Sequence, residues 1–355
     1  MMIVAHHAPS LMQWGWLPHM PASMVHGVSF FFVLSGFILT HVYSSKPMPS
    51  YGLFIRARFA RLWPVHAFSL LLLVLLVRHD SITFDGQGMF DKWVVLGFNL
   101  TLLHSIFPFL AYTFSWNAVS WSISTEMFFY FAFPLLIVNI GRNWHWKMFG
   151  MAVLVIVVIS LQAAAGWPAT SDNYEVATGS FGTYPNPLVR GLEFCAGMAT
   201  WVLWNRHLRH LKLSLWAWSA LEFAAVALCV GWIGFAFFWV FPMLSPRMSL
   251  WYGPCGSFWM FAILIAVFAS GRGVFSRALS VRPLLFLGDV SFSIYMLHQL
   301  LMKAFVTSFN WPDVPAAIYF LVLLVLASAS YVLVEKPGQR LLLGRAPAKI
   351  KPAMA

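Results

Sequence analysis

Apolar runs of about 18 or more residues recur from one end of this chain to the other, the length a helix needs to cross roughly 30 Å of hydrocarbon. The stretch Phe30-Phe31-Phe32-Val33-Leu34-Ser35-Gly36-Phe37 is typical of them, with a small polar pair set inside a greasy segment. At 60% hydrophobic and 9% charged, the 355 residues are far too apolar for an ordinary soluble domain. The fold class expected is therefore all-α, a polytopic membrane helix bundle forming one domain over residues 1–355, with membrane lipid as its surroundings. Eighteen tryptophans fit belts at the headgroup level. A net charge of +11 would suggest nucleic acid in a soluble protein. Here it sits mostly in short loops, where it sets topology, so no nucleic-acid partner is expected. Cys195, Cys229 and Cys255 fall in or beside apolar runs without metal-ligand spacing, which reads as packing and predicts no metal site. Met1-Met2-Ile3-Val4 leads directly into His6-His7 without a basic stretch, so no cleavable signal peptide is expected.

The pattern predicts spans near 24–44, 63–78, 121–139, 147–165, 188–205, 214–238, 254–270, 289–309 and 314–334, after a short apolar start at 1–14. Cytoplasmic loops collect Lys and Arg. The segments from Lys46 to Arg61, Arg142 to Lys147, Arg206 to Lys212 and Arg272 to Arg282, and the tail from Lys336, are basic. Between them, 79–91 carries Asp80, Asp85 and Asp91, and 166–187 carries Asp172 and Glu175 with no Lys or Arg. These signs alternate only if the apolar segment 92–110 enters and leaves on one side. It is then re-entrant or interfacial, and about ten crossings put both termini in the cytoplasm. Loops 166–187 and 240–253 lie outside, where an acceptor would be selected.

Ionisable groups within spans are costly and so are functional candidates. Glu126 follows Trp121-Ser122-Ile123-Ser124-Thr125 inside one span; the bland alternative is an acid complementing a helix N-terminus. Ser291, Tyr295 and His298 share a helical face, which predicts a polar stripe turned into the bundle, serving substrate or interhelical hydrogen bonds. His6 and His7 open the chain, and imidazole is the natural general base near neutral pH. Arg190 and Glu193, three residues apart, read as a self-neutralising pair. Arg58 and Arg61 form a cationic face before a span; they set topology and can also grip phosphate. An apolar helix, a positive loop ending at Arg61 and nearby histidines together suggest a membrane enzyme handling an anionic cofactor.

Five segments in order resemble the acyltransferase-3 family of integral membrane O-acyltransferases. They are Phe31-Phe32-Val33-Leu34-Ser35-Gly36-Phe37, Arg58-Phe59-Ala60-Arg61-Leu62-Trp63-Pro64, Trp121 through Glu126 to Tyr130, Leu287-Gly288-Asp289 through Tyr295 to His298, and Tyr331 through Glu335-Lys336-Pro337. The resemblance implies a bacterial inner-membrane enzyme that moves an acyl group, by family frequency acetyl, from cytoplasmic acyl-CoA to a hydroxyl of a glycan or glycolipid. Acyl-CoA is then a donor substrate and no bound cofactor is implied. It further implies His7 as the base on the acceptor hydroxyl, Glu126 as the group positioning that histidine, and Arg58 and Arg61 as the contacts to coenzyme A phosphates. Ser35, Ser122, Tyr295 and His298 are the accompanying polar positions. The family usually carries a basic residue upstream of its first-helix histidine, so the first helix reads as truncated here, and the expectation is either a start upstream of Met1, the favoured reading, or a truncated member. The competing reading is a transporter or flippase of about ten helices with a His298–Glu126 proton relay, although no inverted repeat is visible.

Overall fold

The computed structural model describes residues 2–14, 26–78, 82–84 and 86–344, and among these every element is a helix. α1 spans Met2–Leu11, α2 His26–Ser44 and α3 Tyr51–Leu76. Two short helices, α4 Lys92–Leu100 and α5 Leu110–Thr113, lead into α6 Trp121–Leu136 and α7 Ile140–Ala164. α8 Gly179–Thr183, α9 Pro187–Arg206 and α10 Leu215–Phe235 follow. The chain continues through α11 Pro246–Cys255, α12 Phe258–Phe268, α13 Val274–Leu279 and α14 Arg282–Lys303, and ends in α15 Ala316–Ser330 and α16 Lys336–Leu343. Helix starts follow local chemistry. Asn186, Ser214 and Ser245 each accept a backbone N–H from the first turn of the helix they precede, at 2.9, 3.2 and 3.4 Å. Pro187 and Pro246 take first helical positions, where a missing N–H breaks no bond.

Among the described residues, seven helices are long and apolar enough to cross a membrane: His26–Ser44, Tyr51–Leu76, Ile140–Ala164, Leu215–Met243, Pro246–Phe268, Arg282–Ser308 and Ala316–Leu343. The protein is thus an all-α polytopic bundle. The other three segments expected to cross fall short in length or apolarity. α1 has 10 residues, α6 has 16, and α9 has 20 but carries the buried Arg190 and Glu193. Segment 92–110 is broken, with a 3-10 turn at His104–Ile106 between α4 and α5. The 9 residues of α4 reach only about 14 Å, too little to cross. Asp80, Asp85 and the tail beyond 344 lie outside the described residues.

Two expectations are corrected here. The basic segment ending at Arg61 is not a loop: α3 begins at Tyr51, so Arg56, Arg58 and Arg61 ride on its first turns. Arginine is a good helix former, and its aliphatic stem covers apolar surface while the head stays polar. The polar stripe on α14 is also shorter than its periodicity suggests. Ser291 is exposed and bonds back to Gly288 O at 2.7 Å. The helix projects beyond its neighbours there, and burial begins only at Val290 and Ser293.

α2 and α9 form the central contact of the bundle. A Cβ on Gly36 would lie 2.0 Å from Phe194 O, and one on Gly197 would lie 1.9 Å from Val33 O. Both positions therefore have to be glycine for the two backbones to meet this closely. α1 is seated differently. Val4, Ala8 and Met12, spaced four apart, form its buried stripe and pack with Leu297, Leu301 and Tyr319. Trp14 Nε1 donates to Val314 O at 2.7 Å and ties down the end of the same segment.

Candidate active site

α1 brings His7 against α14. His7 Nδ1 lies 3.1 Å from His298 Nε2, and the ring centroids are 5.2 Å apart. The same Nδ1 lies 3.1 Å from the carbonyl of Ile3. His298 is fully buried, and its Nδ1 is 2.5 Å from Tyr295 O. The Tyr295 hydroxyl bonds Ser122 Oγ at 2.6 Å and Val119 O at 3.0 Å, which locks α14 onto the start of α6. Tyr319 OH donates to His298 O at 2.9 Å and holds the same turn from α15.

Of these groups, His7, Tyr295 and Val119 border a cavity of about 340 Å³. Its wall includes His6, His7, Trp121, Tyr184, Tyr295 and Lys303. The size suits a sugar ring or a comparable small group, and aromatic walls with a few convergent polar atoms are the usual make-up of a small-molecule site. Tyr184 comes from the long 166–187 segment, which thereby contributes to the cavity wall. Burial pushes its phenol up to about 12, so it stays a neutral hydroxyl at physiological pH.

A second polar cluster sits one turn further along α6. Glu126 is buried and accepts from Ser35 Oγ at 2.7 Å and from Tyr130 OH at 2.6 Å, while its Oε2 has no hydrogen-bond partner among the described residues. Arg58 stands over the ring of Tyr130 at 5.8 Å, over Phe54 at 5.6 Å and over Tyr43 at 5.8 Å, and donates to Tyr43 OH at 3.2 Å. Arg61 forms an ion pair with Glu335, and Ser293 Oγ also donates to that carboxylate at 3.1 Å. Glu126 therefore makes its hydrogen bonds with Ser35 and Tyr130 rather than with His7. The physical reason is register. On α6, Ser122 and Glu126 are four residues apart, so when Ser122 meets Tyr295 the carboxylate falls a turn, about 6 Å, away.

The structure thus gathers His7 and Tyr295 at the cavity wall with His298 and Ser122 behind them, and Ser35, Glu126, Arg58 and Arg61 into an adjoining cluster joined to it through α6. Arg190 and Glu193 form the expected pair, 2.9 Å apart and fully buried, with Ser29 Oγ donating to Glu193 at 2.5 Å. Sequence reasoning gave no role to Lys303 or Tyr184, nor to Tyr130 and Glu335, although the last two lie within the segments that carry the family resemblance. Lys303 was within reach, because it is a charged residue inside an expected span, the criterion that singled out Glu126. Tyr184 and Tyr130 carry no comparable signal, since an aromatic in an apolar chain is unremarkable by itself.

The Acyltransferase domain of the acyltransferase-3 type matches residues 1–335. The chain belongs to this family. It is similar to "Acyltransferase MdmB" of Streptomyces mycarofaciens, 27% identical over 353 residues that cover 92% of this chain and 83% of that protein. It is also similar to "Putative peptidoglycan O-acetyltransferase YrhL" of Bacillus subtilis (strain 168), 28% identical over 346 residues, 88% of this chain but 50% of that longer protein. No solved structure matches the chain significantly. As a member of the family, this multi-pass protein is an O-acyltransferase.

Proposed function

We propose that this acyltransferase-3 protein moves an acetyl group from cytoplasmic acetyl-CoA to a hydroxyl of a glycan or glycolipid, with His7 as the general base. The enzyme sits in the bacterial inner membrane with both termini in the cytoplasm. The observation that carries this reading is the position of His7: its ring lines an aromatic cavity large enough for a sugar ring and is backed by a second imidazole. The name of the Bacillus relative, with peptidoglycan as the acceptor, supports a glycan. In the reaction, His7 takes the proton of the acceptor hydroxyl as the oxygen attacks the thioester carbonyl. The C–S bond then breaks, and the thiolate recovers that proton to leave as the free thiol. Arg58 and Arg61 face the coenzyme A phosphates, with Arg58 held ready over Tyr43, Phe54 and Tyr130. Glu126, tied to Ser35 and Tyr130, orders the end of that cluster nearest the cavity.

The test uses detergent-purified protein, radiolabelled acetyl-CoA and disaccharide-peptide fragments of peptidoglycan as the acceptor probe. Label should pass to the fragments, and His7→Ala should abolish transfer while the protein elutes and melts like the parent. Undiminished turnover by His7→Ala would remove the proposed base. A folded parent that neither transfers label nor cleaves the thioester would count against this donor and acceptor.

A further inference from the structure

The hydrogen bonds around the two histidines determine which nitrogen of each carries its proton. Tyr295 O is a carbonyl and can only accept, so the His298 nitrogen 2.5 Å from it, Nδ1, must be an N–H. In a neutral imidazole the other nitrogen, Nε2, then holds a lone pair. That Nε2 lies 3.1 Å from His7 Nδ1. At the other end, the carbonyl of Ile3 lies 3.1 Å from the same His7 Nδ1 and again requires a donor. With both rings neutral, one arrangement satisfies every contact: His7 Nδ1–H is shared between Ile3 O and His298 Nε2. A charged His298 would turn Nε2 into a donor facing an N–H, and the Ile3 contact would be lost. His7 Nε2 is left unprotonated, on a ring that lines the cavity.

We infer that His298 is the positioning residue that holds His7 in its Nδ1–H tautomer, so that Nε2 is the atom that takes the proton of the acceptor hydroxyl. This rests on His7 being the base. His298 itself touches neither reactant and gains no proton during turnover; it acts through the ring it faces, as the carboxylate does beside the base of a serine hydrolase. Its own setting is built for that task. The carbonyl it donates to belongs to Tyr295, which is pinned by Ser122 and Val119, and the His298 carbonyl is pinned by Tyr319. The ring therefore has little freedom to turn and present the other nitrogen.

The experiment is solid-state nitrogen-15 NMR of histidine-labelled protein in lipid, with the His7 signals assigned by their loss in His7→Ala, alongside kinetics with acetyl-CoA. The parent should show His7 protonated at Nδ1 and bare at Nε2. In His298→Leu, the Nε2–H form should appear and kcat should fall by about 10²-fold, the low end of what a positioned base contributes, with little change in KM for acetyl-CoA. His298→Gln, whose amide oxygen can accept at the Nε2 position, should restore both the tautomer and most of kcat. A His7 protonated at Nε2 in the parent overturns the inference, as does full kcat in His298→Leu while His7→Ala is inactive. Should His298→Leu fail to fold, the parent spectrum and the His298→Gln variant decide the matter alone. Normal activity in His7→Ala would instead overturn the proposed base and leave the tautomer assignment standing.

Discussion

At the scale of single residues, the adjoining cluster is organised around two buried carboxylates, and each is served differently. Glu126 relies on two neutral hydroxyls, from Ser35 and Tyr130. Glu335 relies on a cation, Arg61, whose side chain is 42% exposed while the carboxylate is 0% exposed. An ion pair with one partner in water contributes little through attraction alone. Removing that partner nevertheless leaves a buried charge supported, among the described residues, by Ser293 and, more distantly, Gln339 at 3.5 Å. Arg61→Ala should therefore destabilise the protein more than the exposure of Arg61 suggests, and adding Glu335→Gln should recover part of the loss. A thermal-denaturation double-mutant cycle is expected to give a coupling of about 0.5–3 kcal/mol. Additive effects would show that the pair is an idle surface contact.

At the scale of elements, Ser35 and Gly36 show why two adjacent small residues stand in an otherwise apolar helix. Their side-chain positions point to different neighbours. Gly36 lets α2 meet α9 backbone to backbone, and Ser35 turns toward α6 to hold Glu126. The two roles are coupled, because the depth of the α2–α9 contact sets how far Ser35 stands from the carboxylate. Gly36→Ala should force the helices apart, destabilising the bundle by about 1–3 kcal/mol as an overpacked core does. It should also weaken acetyl-CoA turnover by disturbing the Ser35–Glu126 bond. The melting temperature in detergent and the kcat/KM of the same preparation check both parts. An unchanged melting temperature would mean that the helices re-space freely.

At the scale of the whole molecule, the order of polar groups suggests a path between two faces. Arg58 meets Tyr130, Tyr130 meets Glu126, α6 carries the line one turn to Ser122, and Tyr295 and His298 bring it to His7 and the cavity. Such a track suits an enzyme that takes its donor from one side and its acceptor from the other. The proposed topology puts Lys46, Arg142 and Lys212 in the cytoplasm and 166–187 outside. Ser171→Cys should accordingly react with a membrane-impermeant maleimide in intact cells. Lys212→Cys should react only after the membrane is opened. The native Cys195, Cys229 and Cys255 are free but buried, so the background should be low. Equal labelling of both positions in intact cells would contradict this arrangement.

How much of this was legible without coordinates differs by kind of information. Apolar runs near 18 residues admit little but membrane helices, so the all-α bundle could be read directly, and the five ordered segments pointed to the right family. Buried charges could be picked out because lipid penalises them so heavily that each one needs a reason. That is why Glu126, His298 and the Arg190–Glu193 pair stood out. Partnership could not be read, because it depends on register between helices far apart in the chain. Residues 7 and 298 meet only because the Val4, Ala8 and Met12 stripe seats α1 on α14. Glu126 was expected to serve His7, yet α6 is set by the Ser122–Tyr295 contact, and one turn of rise places its carboxylate with Ser35 and Tyr130 instead. Periodicity likewise placed Ser291 on the face of His298, but only the packing shows that α14 runs past its neighbours there. Sequence by itself determined what kind of molecule this is, since solvent acts on composition and local pattern. The tertiary structure alone decided which buried groups touch, since a shift of one helical turn exchanges one set of partners for another.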